Sequence, residues 1–314
     1  MRGSPSREDQ PAASQASGRE VAFLDKAKGA INAFNCEAGS AISASIISAS
    51  GRRIEVELTL RGADRSCCLN DYFDDLSLKL ERNIGSPVAA FDSRPAPKRR
   101  DAFLVKYAIL DFLDELQKPI AEARDMVAER MEEFAAARRD EGKLFSELCF
   151  CILTANFTAE GGIRIQDAIG ESFSRMDCAT LSKTLRQMHH RFPNKRAEYI
   201  VGAQALCGVL SSELSRFTTG KGARRFLADS VMGLGYKESS HFLRNIGYTD
   251  VAIIDRHILR YLEKKALIEP GKALTRRRYL AYERILEAIA DRLGITLAEL
   301  DLYIWYMETG KVLK

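Results

Sequence analysis

The 314-residue sequence has no apolar run near the roughly 20 residues that a membrane-spanning helix needs. Its opening stretch, MRGSPSREDQPAASQASG, lacks the apolar centre of a secretory signal, and residues 1–19 read as a disordered tail. Histidine is scarce, with four in all, and no CxxC pair occurs, which argues against a structural zinc site. The seven cysteines are odd in number and follow no framework spacing, so they read as free thiols in a reducing cytosol. None follows Cys207, which excludes a C-terminal iron–sulfur cluster. A net charge of +4 is too small to diagnose nucleic-acid binding, although phosphates respond to local charge rather than to the average. What remains is a cytoplasmic chain of globular composition, 46% hydrophobic and 29% charged, long enough for two or three cores.

Two rhythms divide the chain. Residues 21–34 carry apolar side chains at helical spacing (Phe23, Ala27, Ile31, Phe34). In residues 53–60, Ile54, Val56, Leu58 and Leu60 alternate with polar partners, the period of a half-buried strand. Ser50-Gly51 supplies a turn before it, and the preceding AISASIIS is its expected antiparallel mate. Residues 71–82 and 101–116 read as helices separated by the Pro-containing segment at 93–97. Residues 20–117 are therefore expected to form a small α+β domain whose function the sequence does not disclose. Its tract Lys98-Arg99-Arg100 suits either phosphate contact or a solvated helix start.

Beyond Pro119 the strand signals stop. Helical segments are expected at 120–139, 143–153, 163–173, 179–189, 195–209, 223–232, 237–245, 256–264, 276–293 and 297–307, joined by short Gly, Pro or Asn turns. The expected fold class is mainly α: a multi-helix domain over 118–314, preceded by the small α+β domain.

The most specific stretch is VMGLGYKESSHFLRNIGYTDVAIIDRHILR, residues 231–260. Gly233 and Gly235 allow a sharp turn that can leave backbone N–H groups facing an anion, and the helix dipole beginning near Lys237 adds attraction for phosphate. A GxG alone also suits an ordinary helix–helix turn. Lys237 follows the turn by one residue, where it can act as an amine nucleophile or as a phosphate-contacting or solvated cation. Asp255, eighteen residues on, ends an apolar run and is a good helix N-cap; a carboxylate held there can also stabilise a cationic sugar.

GLGYK followed by IIDRHI resembles the helix–hairpin–helix DNA glycosylase superfamily. ELCFCILTANFTAEGGIRIQDAIG, HRFPNKRAEYI, the hairpin stretch and WYMETGKVLK, in that order, are similar to the type 2 8-oxoguanine DNA glycosylase/AP lyase typical of archaea, over residues 120–314. The preceding residues are not part of that family's usual chain. The resemblance implies that Lys237 is a Schiff-base nucleophile and Asp255 its catalytic carboxylate, and that Gly233 and Gly235 grip DNA backbone. It implies that Trp305, the one tryptophan, stacks on the extruded base, and that Lys314, the last residue, reads it after a short tail folds back. Asn156 and Phe157 would face the gap left by the flipped base, although a helix-terminal Asn beside a core Phe fits the same pair. Asn194 and Arg196, with Lys195 between them, would bind backbone phosphate from a helix start, where a plain cap with solvated charges is the alternative.

The expected partner is double-stranded DNA containing 8-oxoguanine, acted on by a monomer with no cofactor and no metal. Two other readings stay open. A glycosylase for oxidised pyrimidines would keep Lys237 and Asp255 without needing Trp305 and Lys314. A non-catalytic DNA-binding module would need the hairpin but not Asp255.

Overall fold

The computed structural model describes residues 12–38, 42–60, 69–97 and 99–314. Residues 1–11 of the expected tail, Cys67, Cys68 and Lys98 lie outside the described residues. The rest of that tail departs from expectation, because α1 (Ala12–Ala38) is already helical from Ala12. Chain contacts group the described residues up to Asp114 with Leu262–Ala273 in one compact unit, and Glu115–Tyr261 with Leu274–Lys314 in another.

In the first unit α1 is followed by β1 (Ile42–Ser50), β2 (Arg53–Leu60), α2 (Leu69–Ile84), β3 (Val88–Pro95) and β4 (Ala102–Ile109). The strands form one antiparallel sheet in the order β1-β2-β4-β3. Ile46 of β1 faces Val56 of β2, so AISASIIS is the antiparallel mate of the second strand. Alternation places Ile54, Val56 and Leu58 of β2, with Val105, Tyr107 and Ile109 of β4, on the face covered by Ala27, Ile31 and Phe34 of α1 and by Phe73, Leu76 and Leu80 of α2.

One expected helix is a strand. Residues 102–109 form β4, paired on both sides by β2 and β3, and the Pro-containing segment is the end of β3. The run Phe103-Leu104-Val105-Lys106-Tyr107-Ala108-Ile109 is β-branched and aromatic, and its apolar residues fit a central strand as readily as a helix stripe. The two waiting edges decide the outcome: a helix there would leave β3 without a partner and one edge of β2 unpaired.

The second unit is helical, and apart from Asp114 and the last three residues of α11 it holds α3 (Asp114–Ala137), α4 (Glu141–Thr154), α5 (Ala159–Ile169), α6 (Cys178–Gln187), α7 (Pro193–Ala203), α8 (Leu210–Ser215), α9 (Gly220–Ser230), α10 (Tyr236–Asn245), α11 (Arg256–Lys264), α12 (Arg276–Leu293) and α13 (Leu297–Thr309). The helix expected from residue 120 begins at Asp114, so Pro119 lies within its second turn. The segment expected as one helix at 195–209 is α7 followed by a 3₁₀ turn, Gln204–Leu206, with α8 beyond.

Helix starts follow side-chain chemistry. Asp140, Thr158, Asp177, Thr219, Thr275 and Thr296 each accept a hydrogen bond from a first-turn N–H, a contribution of about 1 kcal/mol per cap. α4 runs through the middle of the core: Leu144, Leu148, Cys149, Phe150, Cys151, Ile152 and Leu153 are buried against residues of α5, α7, α9 and α10. A helix apolar on nearly every side belongs at such a centre, and the charged residue it carries, Glu147, then needs partners. Among the described residues no helix is long and apolar enough to cross a membrane.

Candidate active site

The hairpin between α9 and α10 is built by glycine geometry. Gly233 has φ +91°, and a Cβ there would sit 2.5 Å from the Tyr199 ring, so the position excludes any side chain. Leu234 turns into the core and its N–H bonds to the Val231 carbonyl at 3.1 Å. Gly235 is extended, and its N–H donates to Glu238 Oε2 at 3.3 Å. That amide, expected to be open to an anion, is thus engaged by a carboxylate of its own helix. Met232, 67% exposed, stands at the hairpin tip. Gly233→Ala is expected to cost about 2–3 kcal/mol through positive φ and collision with Tyr199, measured as a lower unfolding midpoint together with weaker duplex binding.

Lys237 is the second residue of α10, half-buried, with Nζ 3.9 Å from Glu238 Oε1. The helix carries its next turn inward: His241 is buried and meets the Phe150 ring edge-on with centroids 5.5 Å apart. Burial, then the charges of Arg244, Lys237 and Lys314, hold the His241 imidazole well below its ordinary value, while a bond to the Lys314 main chain opposes them. His241 is therefore neutral, and Lys237, Arg244 and Lys314 share its neighbourhood.

Asp255 caps α11. Its Oδ1 accepts from His257 N at 2.8 Å and Ile258 N at 3.0 Å, and its carbonyl accepts from Leu259 N at 2.9 Å. Val251, Ala252, Ile253 and Ile254, which lead to it, are buried. The segment is pinned by polar contacts: Ala252 N donates to Glu283 Oε1 at 3.0 Å, and the Tyr279 hydroxyl donates to the Ala252 carbonyl at 2.6 Å. Glu283 is itself held by a buried ion pair with Arg224, whose guanidinium lies 4.9 Å from the centre of the Tyr236 ring. The residue before Lys237 and the run before Asp255 thus meet one network.

Asp301 of α13 pairs with Arg244 of α10 and so joins the helix of Lys237 to the helix of Trp305. Burial lifts its carboxyl to about 6, the Asp255 charge pushes the same way, and Arg244 and Lys237 oppose them. Trp305, one turn further along α13, packs edge-on against His257 with centroids 4.5 Å apart. The chain then turns at Gly310, φ +71°, and comes back. Arg130 Nη2 donates to the Val312 carbonyl at 3.4 Å, and Lys314 Nζ donates to Glu147 Oε2 at 3.1 Å and Gln166 Oε1 at 2.5 Å. The short returning tail expected after Trp305 is present. Lys237, Asp255, Trp305 and Lys314, distant in sequence, are drawn toward one region: His241, one turn beyond Lys237, and Lys314 both pack on Phe150, Asp255 and Trp305 both contact His257, and the Arg244–Asp301 pair joins α10 to α13.

The other four candidates gather elsewhere, at the end of α4 and the start of α7. Asn156 is exposed and has φ +60°, a left-handed conformation that a non-glycine residue seldom adopts. Phe157 beside it is half-buried and tilted against His190, centroids 4.3 Å apart, so it packs within the protein. Arg196 is buried and donates to the Ala155 carbonyl at 2.5 Å, and burial lowers its proton affinity. It therefore supports the turn presenting Asn156 and does not face outward to a phosphate. Asn194 Oδ1 accepts from Ser182 Oγ at 2.6 Å and Arg186 Nη2 at 2.8 Å, which ties the start of α7 to α6.

Sequence reasoning missed Glu147, Gln166, His241, Arg244, Asn245 and Asp301. Two had a usable signal: Glu147 in FSELCFC and Asp301 in LDLYIW are acids within apolar helices, where an unpaired charge is costly. Among the described residues no group of three or more His, Cys, Asp or Glu is placed to hold a metal ion.

Comparison with known proteins locates this geometry. The family Ogg-HhH, described as 8-oxoguanine DNA glycosylase, matches residues 127–295. The 8-oxoguanine DNA glycosylase/AP lyase of Methanocaldococcus jannaschii is 50% identical over 204 residues, which cover 64% of this chain and 97% of that one. The protein of the same name from Aquifex aeolicus is 42% identical over 226 residues, covering 65% of this chain and 100% of that one. The crystal structure of the M. jannaschii 8-oxoguanine glycosylase/lyase in complex with a 15mer DNA containing 8-oxoguanine is similar at a TM-score of 0.63 and 48% identity, covering 65% of this chain and 100% of that one. The 8-oxoguanine DNA glycosylase of Thermotoga maritima is similar at a TM-score of 0.61 and 43% identity, covering 65% of this chain and 98% of that one. By sequence and by fold, the chain belongs to the helix–hairpin–helix 8-oxoguanine DNA glycosylase family.

Proposed function

We propose that this protein excises 8-oxoguanine from double-stranded DNA and cleaves the strand at the resulting abasic site, with Lys237 as the covalent nucleophile. The observation that carries the reading is geometric: the helix of Lys237 and the returning Lys314 tail both pack on Phe150, the Asp255 cap and Trp305 both contact His257, and Arg244 and Asp301 join the two groups. The supporting comparison is that relatives of this name match nearly their whole length within this chain.

The target nucleotide must leave the duplex for its anomeric carbon to be reached. In this reading the hairpin holds backbone, Asn156 enters the gap, and the extruded base lies on Trp305. 8-Oxoguanine differs from guanine in a protonated N7 and an added oxygen, so an acceptor near Lys314 aimed at that N–H separates them. The neutral Lys237 amine attacks C1′, the bond from C1′ to the base breaks, and the base departs with the electron pair and takes up a proton. Asp255 stabilises positive charge developing on the sugar and orients the amine. Ring opening leaves an imine between C1′ and Nζ. Loss of a C2′ proton then expels the 3′ phosphate by β-elimination, and water releases Lys237. These steps need no redox or metal cofactor. Asn194 and Arg196 act in this reading as supports of the DNA-facing surface. In this reading the protein acts as a monomer in the cytoplasm with the chromosomal DNA.

The test is a lesion panel under single-turnover conditions: duplexes with 8-oxoguanine, thymine glycol, dihydrouracil or undamaged guanine. Excision of 8-oxoguanine at least about a hundredfold faster than of the pyrimidine lesions is expected, with guanine left intact. Faster release of the pyrimidine lesions would transfer the assignment to that class of substrate.

A further inference from the structure

Glu147 is a carboxylate where packing calls for a hydrocarbon. It lies on α4, between Phe145 and Leu148 of the core, and its side chain is 9% exposed. An ionised acid in that position is tolerated only when donors surround it. Three do: Lys314 Nζ at 3.1 Å, Gln166 Nε2 at 3.0 Å and Asn245 Nδ2 at 2.6 Å. Gln166 is oriented by the same set, since its Nε2 also reaches Ser146 Oγ at 3.2 Å while its Oε1 accepts from Lys314 Nζ at 2.5 Å. The Lys314 ammonium lies 4.7 Å from the centre of the Phe150 ring. A carboxylate, an amide oxygen and an aromatic face thus form a cradle for one ammonium, with charge-assisted bonds that fix both distance and direction.

The cradle holds a strand of chain with few other anchors. From Gly310 onward the tail has no regular structure and is tied by Arg130 at the Val312 carbonyl, by Lys311 at Thr309 and Glu160, and by the His241 imidazole at the Lys314 main chain. The cradle also continues toward the chemistry: Asn245 Oδ1 accepts from Arg244 Nε at 3.1 Å and Nη2 at 2.9 Å, and Arg244 pairs with Asp301, which shares the field of Asp255 and Lys237.

We propose that Glu147 is a specificity-determining positioning residue: by clasping the Lys314 ammonium it fixes the main chain of the tail against the base pocket, so that 8-oxoguanine and guanine are told apart. This rests on the assignment of Lys314 to base reading made above. In this proposal Glu147 acts through Lys314 and not on the base itself.

The experiment compares the full chain with Glu147→Gln, Glu147→Asp, Lys314→Met and the Glu147→Gln/Lys314→Met double variant. Two single-turnover rates are read for each: excision of 8-oxoguanine opposite cytosine, and cleavage at a preformed abasic site, which needs no base reading. Glu147→Gln should lower the ratio of excision to abasic cleavage by about tenfold or more. The double variant should fall no further than Lys314→Met alone, because both changes break one contact. Glu147→Asp, which keeps the charge, should recover part of the ratio. Equal loss of both rates would make Glu147 a plain scaffold residue and overturn the proposal, as would an unchanged ratio in a folded variant. If Glu147→Gln does not fold, Lys314→Met decides the question by the same ratio. A parent chain that cleaves abasic sites yet leaves 8-oxoguanine would overturn the base assignment and the cradle with it; an active parent with an unmoved ratio overturns the cradle alone.

Discussion

Lys237→Gln is expected to fold normally, bind a lesion duplex and lose both chemical steps. Glutamine is close to lysine in length and has no amine, so neither attack at C1′ nor the imine that permits β-elimination is available to it. Removal of a covalent nucleophile typically costs at least about ten-thousandfold, and abasic cleavage should fall to the uncatalysed rate. The fold should tolerate the change. Lys237 is half-buried at the N-terminal turn of α10, the Glu238 carboxylate is 3.9 Å away, and a cation there opposes the helix dipole. Thermal unfolding and duplex affinity measured beside the two rates separate lost chemistry from lost structure. Parent-like rates in the variant would remove Lys237 from the mechanism and return the hairpin to DNA docking.

The second large effect concerns Asp255, where two roles coincide and two substitutions separate them. As a cap, Asp255 satisfies the N–H groups of His257 and Ile258 through Oδ1. Asparagine has an oxygen in the same place and caps as well as aspartate, so Asp255→Asn should leave the unfolding midpoint almost unchanged. In the proposed mechanism it removes the charge that stabilises the developing sugar cation, and excision should fall by about a hundred- to a thousandfold. Asp255→Ala loses both functions and should additionally cost about 1 kcal/mol of stability. Should Asp255→Asn keep full excision while Asp255→Ala loses only stability, capping would be the whole role of the residue.

The sequence disclosed the helical unit more fully than the N-terminal one, for a physical reason. Thr219, Thr275 and Thr296, together with the Gly294 and Gly310 stops, mark helix ends locally, and the 3.6-residue period between such signals has few competing readings. β4 had no such protection. Its apolar run suits either period, and the choice was made by partners at residues 53–60 and 88–95, which local pattern does not contain. The candidate site divides in the same way. Lys237 and Asp255 lie on one continuous stretch whose spacing is itself the signal. Glu147, His241 and Asp301 acquire their surroundings only when α4, α10 and α13 pack together. Arg196 shows the opposite failure. A cation at a helix start reads as a phosphate ligand until the fold buries it against the Ala155 carbonyl.

The central claim is a covalent bond between Lys237 and the sugar of the damaged nucleotide. It is tested most directly by reducing the protein with borohydride on a duplex carrying one 8-oxoguanine, digesting the product and locating the adduct by mass spectrometry. The proposed mechanism predicts a stable cross-link on the peptide containing Lys237, absent with undamaged duplex and absent from Lys237→Gln. An adduct on another amine, or base release by the parent without any trapped species, would contradict it.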